Sequence, residues 1–137
     1  MRVVALDIGK ARVGVAASDP LGTLASPVCV LDARDVLDQG AAWLRVLDDW
    51  QPELLVVGLP LSLDGNEGSQ ARRIRKQGQA IADACGLPVQ FVDERLSSTQ
   101  AKRILHEEGL SEKQMRGRLD MVAASLFLQA WLDQEAV

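Results

Sequence analysis

Three acidic residues, far apart along the chain, stand where an α/β protein tends to keep its chemistry. Asp7 closes an apolar run over residues 2–6 and is followed by Gly9. Glu94 lies within Asp93-Glu94-Arg95, directly after a second apolar run over 89–92. Asp120 falls in the first turn of a long helical pattern, where the helix dipole favours a carboxylate. Sites in open α/β sheets lie beyond the C-terminal ends of the parallel strands. If the strands before Asp7 and Glu94 are neighbours, their carboxylates converge. Asp120 reaches the same rim if its helix packs beside the first strand. Such a cluster repels itself and pushes its members' pKa values upward unless a cation neutralises it. All-oxygen ligation suits Mg²⁺ or Mn²⁺ and not zinc. Two such ions about 4 Å apart would activate a water and stabilise the leaving oxygen in phosphodiester hydrolysis.

Each of these residues also has a plainer reading. Asp7-Ile8-Gly9 fits a simple turn, Glu94 between Asp93 and Arg95 fits a surface ion pair, and Asp120 fits a helix start. Around them lie groups suited to phosphate. The stretch from Asp7 to Gly14 would let a backbone turn approach an anion at Gly9, with Lys10 and Arg12 beside it as cations. Gly65 and Gly68 precede Arg72, Arg73, Arg75 and Lys76, a run that fits either a second phosphate-contacting edge or a solvated helix face. Neither stretch matches GxxxxGK[ST] or GxGxxG. His106, a single imidazole at a helix end beside Glu107 and Glu108, offers no metal or acid–base pair.

The elements that must position these residues follow from hydrophobic periodicity. Residues 2–6, 12–17 and 23–30 read as three strands joined by short turns, with Pro27 demoting the third to an edge. A helix is expected over 35–50 with Leu37, Leu44 and Leu47 on its buried face, weakened by Gly40 by about 1 kcal/mol. Residues 54–58 form a strand buried on both sides, and 61–68 a polar loop. Ala71, Ile74, Gly78, Ile81, Ala82 and Cys85 are spaced as one face of a helix that Gly86 and Pro88 end. After the strand at 89–92, Ser97 and Gln100 make a capping-box pattern for a helix ended by Gly109. Leu119, Val122, Ala123, Leu126 and Ala130 define the last helix. The order β-β-β-α-β-α-β-α-α predicts a mixed five-stranded sheet with helices on its faces: an antiparallel meander plus parallel strands, in one domain over residues 1–137.

Composition bounds the function classes. The 137 residues are 47% hydrophobic and 25% charged, as in an ordinary soluble globule. No apolar run approaches the ~20 residues of a membrane helix, which favours a cytoplasmic protein with no membrane partner. Net charge is −4, yet residues 72–118 carry ten Lys/Arg against six Asp/Glu, a local +4 against −8 for the remainder. An anion-binding face is therefore compatible with the acidic average. Cys29 and Cys85 lack CxxC spacing and read as buried, inert thiols. With no Tyr and only five Phe or Trp, base stacking is hard to build, and contact with nucleic acid would run through phosphates.

Four blocks carry a resemblance. ALDIGKARVGVAASD (5–19), VVGLPLSLDGNEG (56–68), VDERLSSTQA (92–101) and LDMVAASLFLQAWL (119–132) occur in order along nearly the whole chain. Together they are similar to the YqgF/RuvX family, described as pre-16S rRNA nucleases and formerly as Holliday-junction resolvase homologues. The resemblance implies an RNase H-like fold and two-metal phosphodiester cleavage, with Asp7, Glu94 and Asp120 as catalytic residues holding Mg²⁺ or Mn²⁺. Asp93 would assist from behind. Gly9, Lys10, Arg12, Arg72, Arg73 and Arg95 would contact a structured RNA, precursor rRNA above all, with branched DNA as the second substrate class. Ser98 replaces a common Thr and Met121 a common Ser, which alters hydrogen bonding but not the carboxylates. The span between Gly109 and Asp120 is short for the family. The expected state is a monomer or a homodimer, the latter using Trp43, Trp50 or Trp131 if they are exposed. The rival readings are a junction resolvase of the same fold, a nucleotide-binding half-domain, and a non-catalytic RNA- or transcription-associated factor.

Overall fold

The computed structural model describes residues 1–62, 64–95 and 97–135, with backbone alone for 97–99 and 116. Five strands, β1 (Val3–Ile8), β2 (Arg12–Ser18), β3 (Ala25–Asp32), β4 (Leu54–Leu59) and β5 (Val89–Asp93), form one sheet in the order β3-β2-β1-β4-β5. The meander β1-β2-β3 is antiparallel, and β1, β4 and β5 run parallel. This is the mixed sheet that the sequence predicts. Pro27 lies on the edge strand, where its missing N–H is harmless, and the β2–β3 register slips beside it between Val15 and Ala16.

Strand alternation sorts the core into two layers. Val4, Leu6, Ile8, Leu55 and Val57 face a cluster with Val36, Trp43, Val46, Ile74 and Ile81. Those helical residues belong to α1 (Ala33–Leu37), α2 (Ala41–Trp50) and α3 (Ser69–Cys85). Val3, Ala5, Leu54 and Val56 face the other way, against Ala124, Phe127, Leu128 and Trp131. These come from the last helix, α6 (Leu119–Glu135), which also packs against α4 (Ser97–Glu107) and α5 (Glu112–Arg116).

Three expectations need correction. The single helix over 35–50 is two helices broken at 38–40. Gln39 adopts a positive φ of 56°, Gly40 caps α2, and the Asp35 carboxylate accepts from the Trp43 N–H at 2.8 Å. A Cβ on Gly40 would overlap that carboxylate, so glycine permits the break. The break resets the helical phase: Trp43 and Val46 are buried, while Leu37 and Leu44 are exposed. The last helix buries residues 123, 124, 127, 128, 131 and 132, whereas Ala130 is exposed. It lies between the sheet and α4, so no single apolar stripe marks its orientation. Between Gly109 and Asp120 the chain makes a helix, α5, that the periodicity does not reveal. Its capping box, Ser111 with Gln114, is a legible signal of the kind sought at Ser97. The Ser97 side chain itself lies outside the described residues.

In contrast, α3 buries Ala71, Ile74, Gly78, Ile81 and Ala82 as its spacing predicts, and Gly86 ends it in the left-handed conformation. Both cysteines are free and half-buried, not fully buried. Trp43 and Trp131 are core residues and offer no surface patch, and Trp50 is half-buried. Among the described residues no helix is long and apolar enough to cross a membrane.

Candidate active site

Asp7 is the penultimate residue of β1, between Leu6 and Ile8, which face the α3 side. Alternation therefore turns Asp7 toward α6. Its neighbour on β2 is Gly14. On the other side, β4 reaches Gly58 one residue beyond the Leu6–Val57 pair. Both glycines are used. A Cβ on Gly14 would overlap the backbone carbonyl of Asp120, so α6 begins in direct backbone contact with β2. A Cβ on Gly58 would lie 2.6 Å from Glu94 Oε2 and 2.7 Å from the Phe127 ring. The small residues flanking Asp7 thus leave room for the other two carboxylates. Gly14, read from sequence as part of a phosphate-approaching turn, instead lies within a strand and admits a helix.

Glu94 follows β5, and its N–H donates to the Leu59 carbonyl at 3.1 Å, extending the strand pairing past Asp93. Its carboxylate lies close enough to that of Asp7 for the two to shift one another. Burial, then the charge of Glu94, pushes Asp7 up to about 9 from an ordinary 3.8. Glu94 is also raised, by burial first and by Asp120 and Asp93; the hydrogen bond from Asp7 opposes this. Asp120 is raised by burial, partly offset by Arg12, whose Nε lies 3.6 Å from its Oδ2. The three predicted carboxylates therefore influence one another across a single edge of the sheet. Burial raises all three, neighbouring carboxylates add to the rise at Asp7 and Glu94, and the Arg12 guanidinium opposes it at Asp120.

Among the described residues, no three His, Cys, Asp or Glu side chains stand ready as a chelate. The donor set still fits a hard divalent cation. It is all carboxylate oxygen, half or more removed from water, and short of positive charge. Binding a cation there requires Asp7 to give up its proton.

The surrounding basic residues divide into groups. Gly9 makes a tight turn, its N–H donating to the Arg12 carbonyl at 2.8 Å, and a Cβ there would lie 2.9 Å from that oxygen. Lys10 is exposed beside it. Arg95 donates to Asp93 through Nε at 2.6 Å and to the Ser62 carbonyl at 3.2 Å, tying the loop after β4 to the end of β5. Burial works against it, but these bonds hold the Asp93 carboxyl below its ordinary value. Arg75 pairs with Glu67 and lies over the Phe91 ring, 4.7 Å from its centroid. Arg72 donates to the Glu67 carbonyl at 3.2 Å, and Arg73 to Gln77 at 3.0 Å. His106 is exposed in the last turn of α4.

The family model for RuvX, described as a Holliday junction resolvase, matches residues 1–134. The chain belongs to the RuvX family. Relatives of this RuvX chain that are named as pre-16S rRNA nucleases include one from Anaeromyxobacter sp. (strain Fw109-5), 42% identical over 97% of both chains. Another, from Thermosynechococcus vestitus, is 41% identical over 96% of this chain and 87% of its own. Among solved structures, RuvC of T. thermophilus in complex with a Holliday junction substrate superposes with a TM-score of 0.54 at 19% identity, covering 99% of this chain and 96% of that one. The fowlpox virus resolvase bound to Holliday junction DNA gives 0.57 at 13%, with full coverage of both. The fold of this RuvX protein is therefore RNase H-like, as the resemblance implied.

Proposed function

We propose that this protein is a divalent-metal-dependent endonuclease acting on structured RNA, with the 5′ end of precursor 16S rRNA as its substrate. The observation that carries the reading is the gathering of Asp7, Glu94 and Asp120 from β1, the end of β5 and the start of α6. The names of the relatives favour RNA over DNA. The activity would reside in one domain over residues 1–137 and act in the cytoplasm, as a monomer or homodimer.

In this reading Asp7, Glu94 and Asp120 hold two Mg²⁺ or Mn²⁺ ions. When bound, these supply the positive charge that lowers the pKa of the attacking water and stabilises the departing oxygen. Asp7 would serve this role in its ionised form. Asp93, fixed by Arg95, keeps negative charge behind Glu94 and orients the strand end. Arg12 holds Asp120 and offsets the charge of an approaching phosphate. The Gly9 turn brings backbone close to the strand being cut, while Lys10, Arg72 and Arg73 supply further cations for its phosphates.

The test is cleavage of a precursor 16S 5′-leader transcript by purified protein with Mg²⁺ or Mn²⁺, in competition with four-way junction DNA. Cleavage of the transcript by the wild type, and none by Asp7→Asn, is expected. Preferential cleavage of the junction would move the assignment to a resolvase. Metal-independent binding with no cleavage of either would make the protein a non-catalytic factor.

A further inference from the structure

A second polar site lies at the same edge of the sheet but on its opposite face. A cleft of about 570 Å³ is lined by Lys10, Ser69, Gln70 and Arg73. Lys10 comes from the β1–β2 turn, and the other three from the first turns of α3, which covers the face turned away from Asp7. The lining carries two cations, two neutral polar side chains and no carboxylate. Lys10 also borders a smaller cleft shared with Arg34 and Asp38, whose carboxylate does not line the first cleft.

Arg73 is the unusual member. Its Nη1 donates to Gln77, but its Nη2 is buried with no hydrogen-bond partner among the described residues. A buried guanidinium nitrogen without an acceptor is costly, and such groups call for an explanation. The neighbouring cations do not behave this way. Arg72 and Arg75 are engaged by Glu67, and Arg12 by Asp120. Arg73 instead bonds a neutral amide among the described residues, so its charge and that of Lys10 meet no carboxylate in the cleft lining and are what the cleft offers an anion. Gly68 caps α3 with no side-chain bond, so the N–H groups of its first turn add donors at the same place.

We infer that the cleft between Lys10 and Arg73 takes one phosphate group of a nucleic-acid strand whose scissile bond lies over the Asp7 face. The strand would cross the sheet edge at the Gly9 turn, two residues from Asp7. This rests on the nuclease reading for the second half only; the phosphate site stands without it. Within the basic run of α3, Arg73 takes this phosphate together with Lys10, while Arg72, tied to the Glu67 carbonyl, is left to meet a neighbouring one and Arg75 is paired with Glu67 beside Phe91.

The test measures binding without cleavage. Asp7→Asn protein in a chelating buffer is titrated into a fluorescent oligoribonucleotide hairpin and into four-way junction DNA, at several salt concentrations. Lys10→Ala and Arg73→Gln are added singly, with Arg45→Ala on α2 as the control. Each cleft variant should weaken binding roughly 5-fold to 10-fold and reduce the log–log salt slope by about one. Lys10 is exposed, so its variant carries the test even if Arg73→Gln folds poorly. Binding by both cleft variants that matches the Arg45→Ala control would overturn the inference. So would equal weakening of wild-type and cleft-variant binding by 10 mM inorganic phosphate, because a phosphate competing at this cleft must act on the wild type more than on variants that lack it. If the cleft variants bind weakly but the wild type cleaves nothing with metal, the nuclease reading fails and the phosphate site stands. The reverse outcome removes the site and leaves the nuclease.

Discussion

A Cβ placed on Gly14 would fall inside the carbonyl group of Asp120. The third carboxylate thus reaches the sheet only because its helix starts in backbone contact with β2. Gly14→Ala should push the start of α6 away and cost about 1–3 kcal/mol, since backbone cannot step aside as a side-chain tip can. The measurement is thermal unfolding alongside RNA cleavage, with activity falling further than stability. An alanine variant with unchanged melting temperature and full activity would show that the contact is not limiting.

Gly58→Ala meets side chains instead, Glu94 Oε2 and the Phe127 ring. Its cost should be smaller in folding and larger in function, because Glu94 can be displaced. A variant that keeps its urea midpoint within about 1 kcal/mol but loses metal-dependent cleavage is the expected outcome.

The raised Asp7 carboxyl gives a pH signature. Asp7 is pushed up to about 9 in the native state, from 3.8 in an exposed chain. A raised native pKa contributes stability that is complete below the unfolded value and lost as pH rises through the native one. In chelator, the urea midpoint of wild type should fall between pH 5 and pH 9, by at least the ~1.4 kcal/mol of one pKa unit. Asp7→Asn cannot ionise and should lose this slope, becoming the more stable protein at pH 8. A slope that persists unchanged in Asp7→Asn would place its origin elsewhere.

Divalent metal should reverse the penalty. At 100 times its dissociation constant, a bound ion stabilises by about 2.7 kcal/mol. Millimolar Mn²⁺ at pH 8 should therefore raise the melting temperature of wild type and release protons. Asp7→Asn and Asp120→Asn should respond much less. Identical shifts in all three proteins, read by thermal scan and by proton release, would show that the ion binds outside this cluster.

On the far face, Asp35 caps α2 through the Trp43 N–H. Asp35→Ala should cost about 1 kcal/mol in a urea titration and leave cleavage unchanged, because the residue lies on the face opposite Asp7.

The strands were legible because their apolar runs and turn residues are unambiguous, and α3 because its small and branched residues keep a helical period up to Gly86. Strand order made the rim a conditional meeting place for Asp7 and Glu94, and Asp120 joined it only on the condition that the last helix packed beside the first strand. Other features were hidden for physical reasons. Gly40 reads as a weak point in a helix, yet it separates two helices, because the Asp35 cap that favours the break acts across eight residues. The sheet-facing side of α6 was obscured because the helix is covered on more than one side. Gly14 and Gly58 carry no chemical signature. Their role appears only once Asp120 and Glu94 are seen occupying the space a side chain would fill. The separation of Arg73 from Arg72 needed partners to be assigned atom by atom.

The helix that supplies Asp120 follows all five strands in the chain and closes one of the two core layers. Two of the acidic groups are therefore held by the sheet, while the third arrives only with α6. A molecule whose final helix has lifted off would lack Asp120 and the α6 side of that layer. Under the nuclease reading, completing the acidic cluster and completing the fold are then one event, and a half-formed copy would be unable to cut its substrate.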